Sequence, residues 1–179
     1  LAVPSLNYTD PRRYILSMMD TIMGSGLSSR LFQEIREERG LAYTVDSYTN
    51  QLSDTGAWVI YSGVDPDNID DTIRAIVDEL KKLRDEKVPE AELEKAKKYN
   101  KGRMLLSLED TRSVASWAGG QELLLDRILT VEEVVHFIDA VTVDQIHELA
   151  QEMFKPENLR LSVVGPYKDQ DDRFRELLK

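Results

Sequence analysis

The sequence has 179 residues, of which 41% are hydrophobic and 31% charged, a balance that fits one folded domain rather than a disordered chain. A formal net charge of −10 at pH 7 repels phosphate backbones and argues against nucleic acid as a partner. No apolar run approaches the roughly 18 to 20 residues of a membrane-spanning helix, so no membrane association is expected. The absence of cysteine excludes disulfides, thiolate zinc ligands and cysteine nucleophiles.

The first third of the chain predicts two helices followed by a β-hairpin. Asp10-Pro11 is a strong helix start, and apolar residues follow it at helical spacing up to a pair of glycines. A serine then caps a second helix, which Gly40 is predicted to end in the left-handed conformation. Residues 41–51 and 57–64 are rich in β-branched and aromatic side chains and predict two strands joined by a short turn.

The rest of the chain is predicted to be mainly helical. Proline and capping signals mark the helix starts, and one β-branched run stands near the end. The predicted elements are helices beginning at Asp65, Pro89 and Thr111, two short helices behind the capping boxes Thr130-x-x-Glu133 and Thr142-x-x-Gln145, a strand at 159–165 and a terminal helix at 169–178. This order predicts an α+β fold, in which helices cover an antiparallel sheet. No repeat or linker divides the chain, so residues 1–179 are expected to form a single domain.

The segment around His147 comes close to a zinc motif. His147-Glu148-Leu149-Ala150-Gln151 differs from H-E-x-x-H in its last residue, where Gln151 supplies a neutral amide that is a poor zinc ligand. The other histidine, His136, offers no better ligand set. We therefore predict no metal site in this chain.

The glycine-rich segment 23–29 precedes a predicted helix and could be taken for a phosphate-binding loop. It lacks both the lysine of a P-loop and the preceding strand of a dinucleotide-binding fingerprint. Its serines have no histidine nearby in the sequence to activate them. The segment is interpreted as a connection between helices, and no catalytic residue is assigned in this chain.

Arg36 and Tyr43 flank the predicted break between helix and strand at Gly40. An arginine near a helix C-terminus interacts favourably with the helix dipole, and a tyrosine at a strand start is common. Taken by themselves, the two residues are better explained by these ordinary structural uses than by a binding site.

A resemblance to a known family favours a binding role for Arg36 and Tyr43 over these ordinary structural uses. The run GSGLSSRLFQEIREERGLAYTV, residues 24–45, closely resembles the second-half signature of the insulinase and mitochondrial-processing-peptidase family of zinc metallopeptidases. Residues 4–11 resemble that family's entry to the domain, and residues 54–58 resemble its hairpin. The resemblance is dense over residues 4–64 and becomes diffuse toward about residue 165.

The resemblance implies a fold, partners and site residues. Members of the family are built from homologous α+β halves that close around an unfolded peptide. The first half carries an inverted zinc motif, H-x-x-E-H, with a distant glutamate, and the second half supplies an arginine and a tyrosine to the closed site. Those positions fall on Arg36 and Tyr43, whose donors would stabilise charge on the substrate carbonyl oxygen or fix a neighbouring carbonyl.

The chain is accordingly expected to be the C-terminal-type, non-zinc domain of a zinc metalloendopeptidase and a fragment of a longer chain. It is expected to bind no cofactor itself, with zinc in a homologous partner half that is either fused or separate, and to have no activity alone. A catalytically inert structural or assembly domain of the same family remains an alternative, as does a self-associating binding module. Homo-oligomerisation is left open, and a cytoplasmic location is expected because no leader is visible.

Overall fold

A three-stranded antiparallel sheet forms one layer of the molecule. The computed structural model describes residues 1–178. The strands are β1 (Ala2–Ser5), β2 (Ala42–Gln51) and β3 (Gly56–Val64), in the order β1-β3-β2. β2 and β3 form the predicted hairpin, whereas β1 was not predicted as a strand.

Helices make up most of the remaining described residues. The α-helices are α1 (Arg13–Met23), α2 (Ile69–Asp85), α3 (Glu90–Ser107), α4 (Thr111–Leu125), α5 (Val131–Asp139), α6 (Val143–Met153) and α7 (Asp171–Leu177); a π-helix spans Phe32–Glu38, and short 3-10 helices span Pro66–Asn68 and Pro156–Asn158. The predicted α+β class, with helices covering an antiparallel sheet, is confirmed. Among residues 1–178, none of the helices combines the length and the apolar character needed to cross a bilayer.

The main core lies between the inner face of the sheet and the helices packed on it. Trp58 and Ile60 of β3 and Val45 of β2 are buried on this face, because alternate residues of a strand point to the same side. α1 contributes Leu16 and Met19, which are fully buried. Burial of each such large side chain stabilises the fold by about 1.5–3 kcal/mol.

The two predicted capping boxes are present. Thr130 caps α5 and accepts a hydrogen bond from the Glu133 backbone, while the Glu133 side chain accepts one from the Thr130 N–H. Thr142 and Gln145 make the same reciprocal pair at α6. Each box satisfies two N–H groups that a helix N-terminus otherwise leaves unpaired.

The strand predicted at 159–165 is not formed, and this prediction was wrong for the described chain. Only Arg160 pairs, in an isolated antiparallel bridge with Ala2. Within residues 1–178, residues 161–165 pair with no strand. The β-branched run predicted a strand, but strand formation also needs a partner, which a local sequence pattern does not indicate.

Candidate functional site

Arg36 lies on the π-helix Phe32–Glu38, just before the chain reverses at Gly40. In this wide helix the Arg39 N–H donates to the Glu34 carbonyl oxygen, five residues back, at 3.2 Å. Ile35 is fully buried, so the next residue, Arg36, is turned to the surface. Gly40 has φ +60°, a left-handed conformation that favours glycine, and it ends the helix as predicted.

Tyr43 is the extra residue of a β-bulge at the start of β2. Ala42 lies opposite Val64 and Thr44 lies opposite Gly63, so two steps on β2 match one step on β3. A bulge of this kind redirects a side chain and is frequent beside functional sites. The Tyr43 side chain is 85% exposed.

The structure brings Arg36 and Tyr43 together. Cζ of Arg36 lies 5.6 Å from the centroid of the Tyr43 ring and 4.9 Å from the centroid of the Phe32 ring. Such cation–π contacts contribute about 0.5–1 kcal/mol each at exposed sites and hold the guanidinium beside the phenol. The guanidinium of Arg36 and the phenol of Tyr43 therefore lie side by side at one place on the protein surface.

Few acceptor groups of the protein lie close enough to bind the N–H groups of Arg36. Its nearest carboxylate, on Glu37, is 3.8 Å from Nε, a long ion pair at the surface. Within residues 1–178 the Arg36 guanidinium makes no hydrogen bond, and 42% of its side chain is exposed. Arg36 can therefore offer several N–H groups to a ligand without first breaking an internal hydrogen bond.

The neighbouring outer face of the sheet is open and carries two more tyrosines that were not singled out from the sequence. Tyr48 is 48% and Tyr61 is 56% exposed, and Asp46 lies directly opposite Tyr61 in the β2–β3 ladder. We call these three residues the open sheet face. The alternation Asp46, Tyr48, Asn50 along β2 indicates a strand with two different faces, but it does not show which face the helices leave uncovered.

Beneath the hairpin, Asp20 at the end of α1 lies partly buried against the inner face of the sheet. Its Oδ1 accepts hydrogen bonds from Ser47 Oγ and from Trp58 Nε1, both at 2.6 Å. Burial raises the pKa of Asp20, and these hydrogen bonds act in the opposite direction. The carboxyl is thus a structural tie between α1 and both strands of the hairpin.

The side chains present do not fit a zinc ion. Among residues 1–178 no three histidines or carboxylates cluster in a way that could hold a metal. His147 Nε2 is instead 3.0 Å from Gln151 Nε2, the amide of the residue that replaces the second histidine of the motif. Zinc would therefore require ligands from outside these residues.

A family comparison agrees with the fold. The family model described as "Peptidase M16 inactive domain" matches residues 1–100. Because this match covers more than half of the sequence, the chain belongs to this family. The resemblance to the non-zinc half of a zinc metallopeptidase, which was first seen in residues 4–64, is confirmed.

Two curated relatives are named as proteases. An uncharacterized zinc protease of Streptomyces coelicolor is 36% identical over 171 residues, which are 94% of this chain and 37% of that protein. The uncharacterized zinc protease YmxG of Bacillus subtilis is 34% identical over 166 residues, 93% of this chain and 40% of that protein. The chain therefore spans less than half the length of these two relatives.

A solved structure extends the fold comparison to the C-terminal half of the chain. A chain of complex III2 from Candida albicans has a TM-score of 0.84, covers 99% of this chain and is 23% identical to it. This chain covers 45% of that longer one. At this identity the likeness concerns the fold alone, and it reaches beyond the residues matched by the family model.

Proposed function

We propose that this domain is the non-zinc, substrate-contacting half of a zinc metalloendopeptidase, and that Arg36 and Tyr43 contact the peptide. The observation that carries the proposal is the exposed pairing of the two side chains, with Cζ of Arg36 5.6 Å from the Tyr43 ring centroid. Family membership supports the peptidase class, because relatives at 36% and 34% identity are named zinc proteases.

Arg36 and Tyr43 would act as hydrogen-bond donors to a peptide carbonyl oxygen. A guanidinium carries five N–H groups in a planar fork, and a phenol adds one O–H. Donors fixed in advance stabilise negative charge on such an oxygen without reorganising during the reaction. The π-helix holds Arg36 in position and the bulge holds Tyr43 in position.

The metal belongs to a different part of the assembly in this proposal. The described residues offer no zinc ligand set, so a homologous half, fused or separate, would hold zinc and supply the hydrolytic chemistry. This chain would then be one domain of a longer protein or of a two-chain enzyme, which agrees with its 37–40% share of the two relatives' lengths. An unfolded peptide would bind between the halves.

The experiment combines the chain with its cognate zinc-bearing half and measures cleavage of an unstructured peptide. Arg36→Ala is expected to lower kcat/KM on the order of 100-fold, and Tyr43→Phe by roughly tenfold, because each variant removes a donor to the substrate. Both side chains are exposed, so neither change should affect folding.

Two matched variants control for general effects of charge and surface change. Arg39→Ala removes a nearby exposed arginine that pairs with Glu34, and Tyr99→Phe removes a hydroxyl on α3. Both controls should leave cleavage unchanged. Equal activity in the wild type and in both site variants would disprove the roles assigned to Arg36 and Tyr43. If the wild-type chain combined with the zinc-bearing half cleaves no peptide, the result would favour a catalytically inert assembly domain.

A further inference from the structure

Among residues 1–178, Phe32 has the aromatic ring that lies closest to the Arg36 guanidinium. Cζ of Arg36 is 4.9 Å from the centroid of the Phe32 ring and 5.6 Å from that of the Tyr43 ring. Phe32 opens the π-helix and precedes Arg36 by four positions, so both side chains lie on the same side of this helix. Phe32 is half-buried, whereas Tyr43 is exposed, and the Phe32 ring is therefore the better fixed of the two.

The two rings contact the guanidinium from different directions. Each ring lies against Arg36, but within residues 1–178 the Phe32 and Tyr43 rings do not stack on each other. A guanidinium that bridges two separate rings keeps its contact with one only if it does not turn away from the other. Phe32 therefore restricts the directions in which Arg36 can move while it stays beside Tyr43.

The sequence around Arg36 is rich in carboxylates that could draw the guanidinium away. The π-helix carries Glu34, Glu37 and Glu38 within two positions of Arg36. Glu34 is bonded to Arg39, whose Nε lies 2.7 Å from Glu34 Oε1. The carboxylate of Glu37 is 3.8 Å from Arg36 Nε. A movement of about 1 Å would turn this long ion pair into a charge-assisted hydrogen bond.

A carboxylate and an aromatic ring hold a guanidinium in different ways. A carboxylate binds the N–H groups at the edge of the planar fork and compensates its charge. An aromatic ring lies against the face of the guanidinium, so the N–H groups and the charge both stay available. The proposed task of Arg36 is to donate to a peptide carbonyl oxygen, and the aromatic arrangement is the one that leaves its donors unoccupied.

We propose that Phe32 is a positioning residue, whose ring holds the Arg36 guanidinium beside Tyr43 and keeps it from pairing with Glu37. In this role Phe32 acts through Arg36, and no contact between Phe32 and the peptide is required. The inference rests on the proposed function, because it concerns the same arginine. One of its tests measures the state of Arg36 directly and needs no cleavage.

The first test measures peptide cleavage by the chain combined with its cognate zinc-bearing half. Phe32→Leu keeps apolar bulk but removes the ring. It should lower kcat/KM about two- to fivefold, the size of one exposed cation–π contact, and mainly through kcat, because the donors of Arg36 act on charge that develops during the reaction. Phe32→Tyr keeps the ring and should retain wild-type activity. Phe137→Leu removes a ring of α5 that stacks on Tyr14, and it should leave cleavage unchanged.

Glu37→Gln separates positioning from simple packing. In the wild type this change should alter kcat/KM by less than about twofold, because the ring already keeps Arg36 from a close pair with Glu37. In the Phe32→Leu background the same change should restore most of the lost activity, because the competing carboxylate is gone. In the Arg36→Ala background Phe32→Leu should cause no further loss, because the residue that it positions is absent.

The second test follows the Nε–H group of Arg36 by NMR in the chain itself. A side chain held against a ring has a high order parameter, and the ring shifts the signals of nearby protons. In Phe32→Leu the Arg36 signal should move and lose order, while Phe32→Tyr should preserve it. The Nε–H signal of Arg39 is the internal control and should not change, because this group donates to Glu34.

Several results would overturn the proposal. An unchanged Arg36 signal in Phe32→Leu would show that the ring does not hold the guanidinium, and a lower Tm together with that result would make Phe32 a packing residue only. Failure of Glu37→Gln to restore activity would remove the competition with Glu37. If Arg36→Ala itself leaves cleavage unchanged, the proposed function fails, whereas the NMR signal still decides whether Phe32 positions Arg36.

Discussion

The indole nitrogen of Trp58 donates to the carboxylate of Asp20 at 2.6 Å, so the middle of β3 is tied directly to the last turn of α1. Ser47 of β2 donates to the same carboxylate oxygen, also at 2.6 Å. One partly buried acid therefore holds both strands of the hairpin against one helix. The position of Tyr43 depends on this hairpin, because the bulge that carries it lies in the β2–β3 ladder.

Asp20→Asn should change how stability depends on pH. Burial raises the pKa of Asp20 in the folded protein, so the folded state holds this proton more tightly than the unfolded state does. The resulting stability is fully present below the unfolded pKa of about 3.9 and is lost as pH rises through the folded pKa. Urea unfolding at several pH values above 4 should therefore show wild-type stability falling relative to that of Asp20→Asn. Parallel curves for the two proteins would contradict the prediction.

Gly24→Ala should be strongly destabilising. A Cβ at Gly24 would lie 2.2 Å from Ser47 Oγ and 2.3 Å from the Ser47 backbone nitrogen, so the backbone itself would have to move. Overpacking of this kind costs about 1–3 kcal/mol, and here it would also disturb the hydrogen bond from Ser47 to Asp20. The free energy of unfolding from urea titration measures the effect. A loss below about 0.5 kcal/mol would mean that α1 and β2 can separate freely.

Gly119→Ala, in contrast, should stabilise the protein. Gly119 lies inside α4, and a Cβ there would meet no atom within 4 Å beyond its chain neighbours and the backbone of its own helix. Alanine is favoured over glycine in a helix interior by roughly 0.8–1 kcal/mol. Thermal unfolding followed by circular dichroism should show a higher Tm, and an unchanged or lower Tm would contradict this account of α4.

Arg30→Ala should weaken the attachment of the π-helix to the rest of the fold. The Arg30 guanidinium binds Glu92 of α3 with two hydrogen bonds, of 2.9 and 2.6 Å, and this pair raises the pKa of Arg30. Its loss leaves a partly buried carboxylate without its partner and is expected to cost about 1–3 kcal/mol. Denaturant titration of the variant measures this loss.

The matched control for Arg30→Ala is Arg74→Ala. Arg74 pairs with Asp71 one turn away on α2, and both side chains are more than half exposed. Its removal should change stability by less than about 0.5 kcal/mol. Similar losses in the two variants would mean that the Arg30–Glu92 pair has no special structural role.

Local signals in the sequence predicted the helices and the hairpin well. The capping boxes at Thr130 and Thr142 and the left-handed Gly40 depend on residues close together in the chain. Physical rules for caps and periodicity act at that range, and the structure confirms all of these features.

Features that depend on distant partners could not be predicted in the same way. The pairing of β1 with β3 joins residues more than 50 positions apart, and neither the π-helix nor the bulge leaves a distinct local pattern. The candidate site likewise contains residues that the sequence indicated and a surface that it did not. Family resemblance pointed to Arg36 and Tyr43, whereas the open sheet face required knowledge of which side of the hairpin is covered.

The π-helix and the β-bulge are each an element lengthened by one surplus residue, and they follow one another between positions 32 and 44. A one-residue deletion in either element would restore regular hydrogen bonding and change where the side chains beside the deletion point. Engineering for thermal tolerance should therefore leave this stretch untouched and work on surfaces such as α4, since regularity gained here would displace the arginine or the tyrosine.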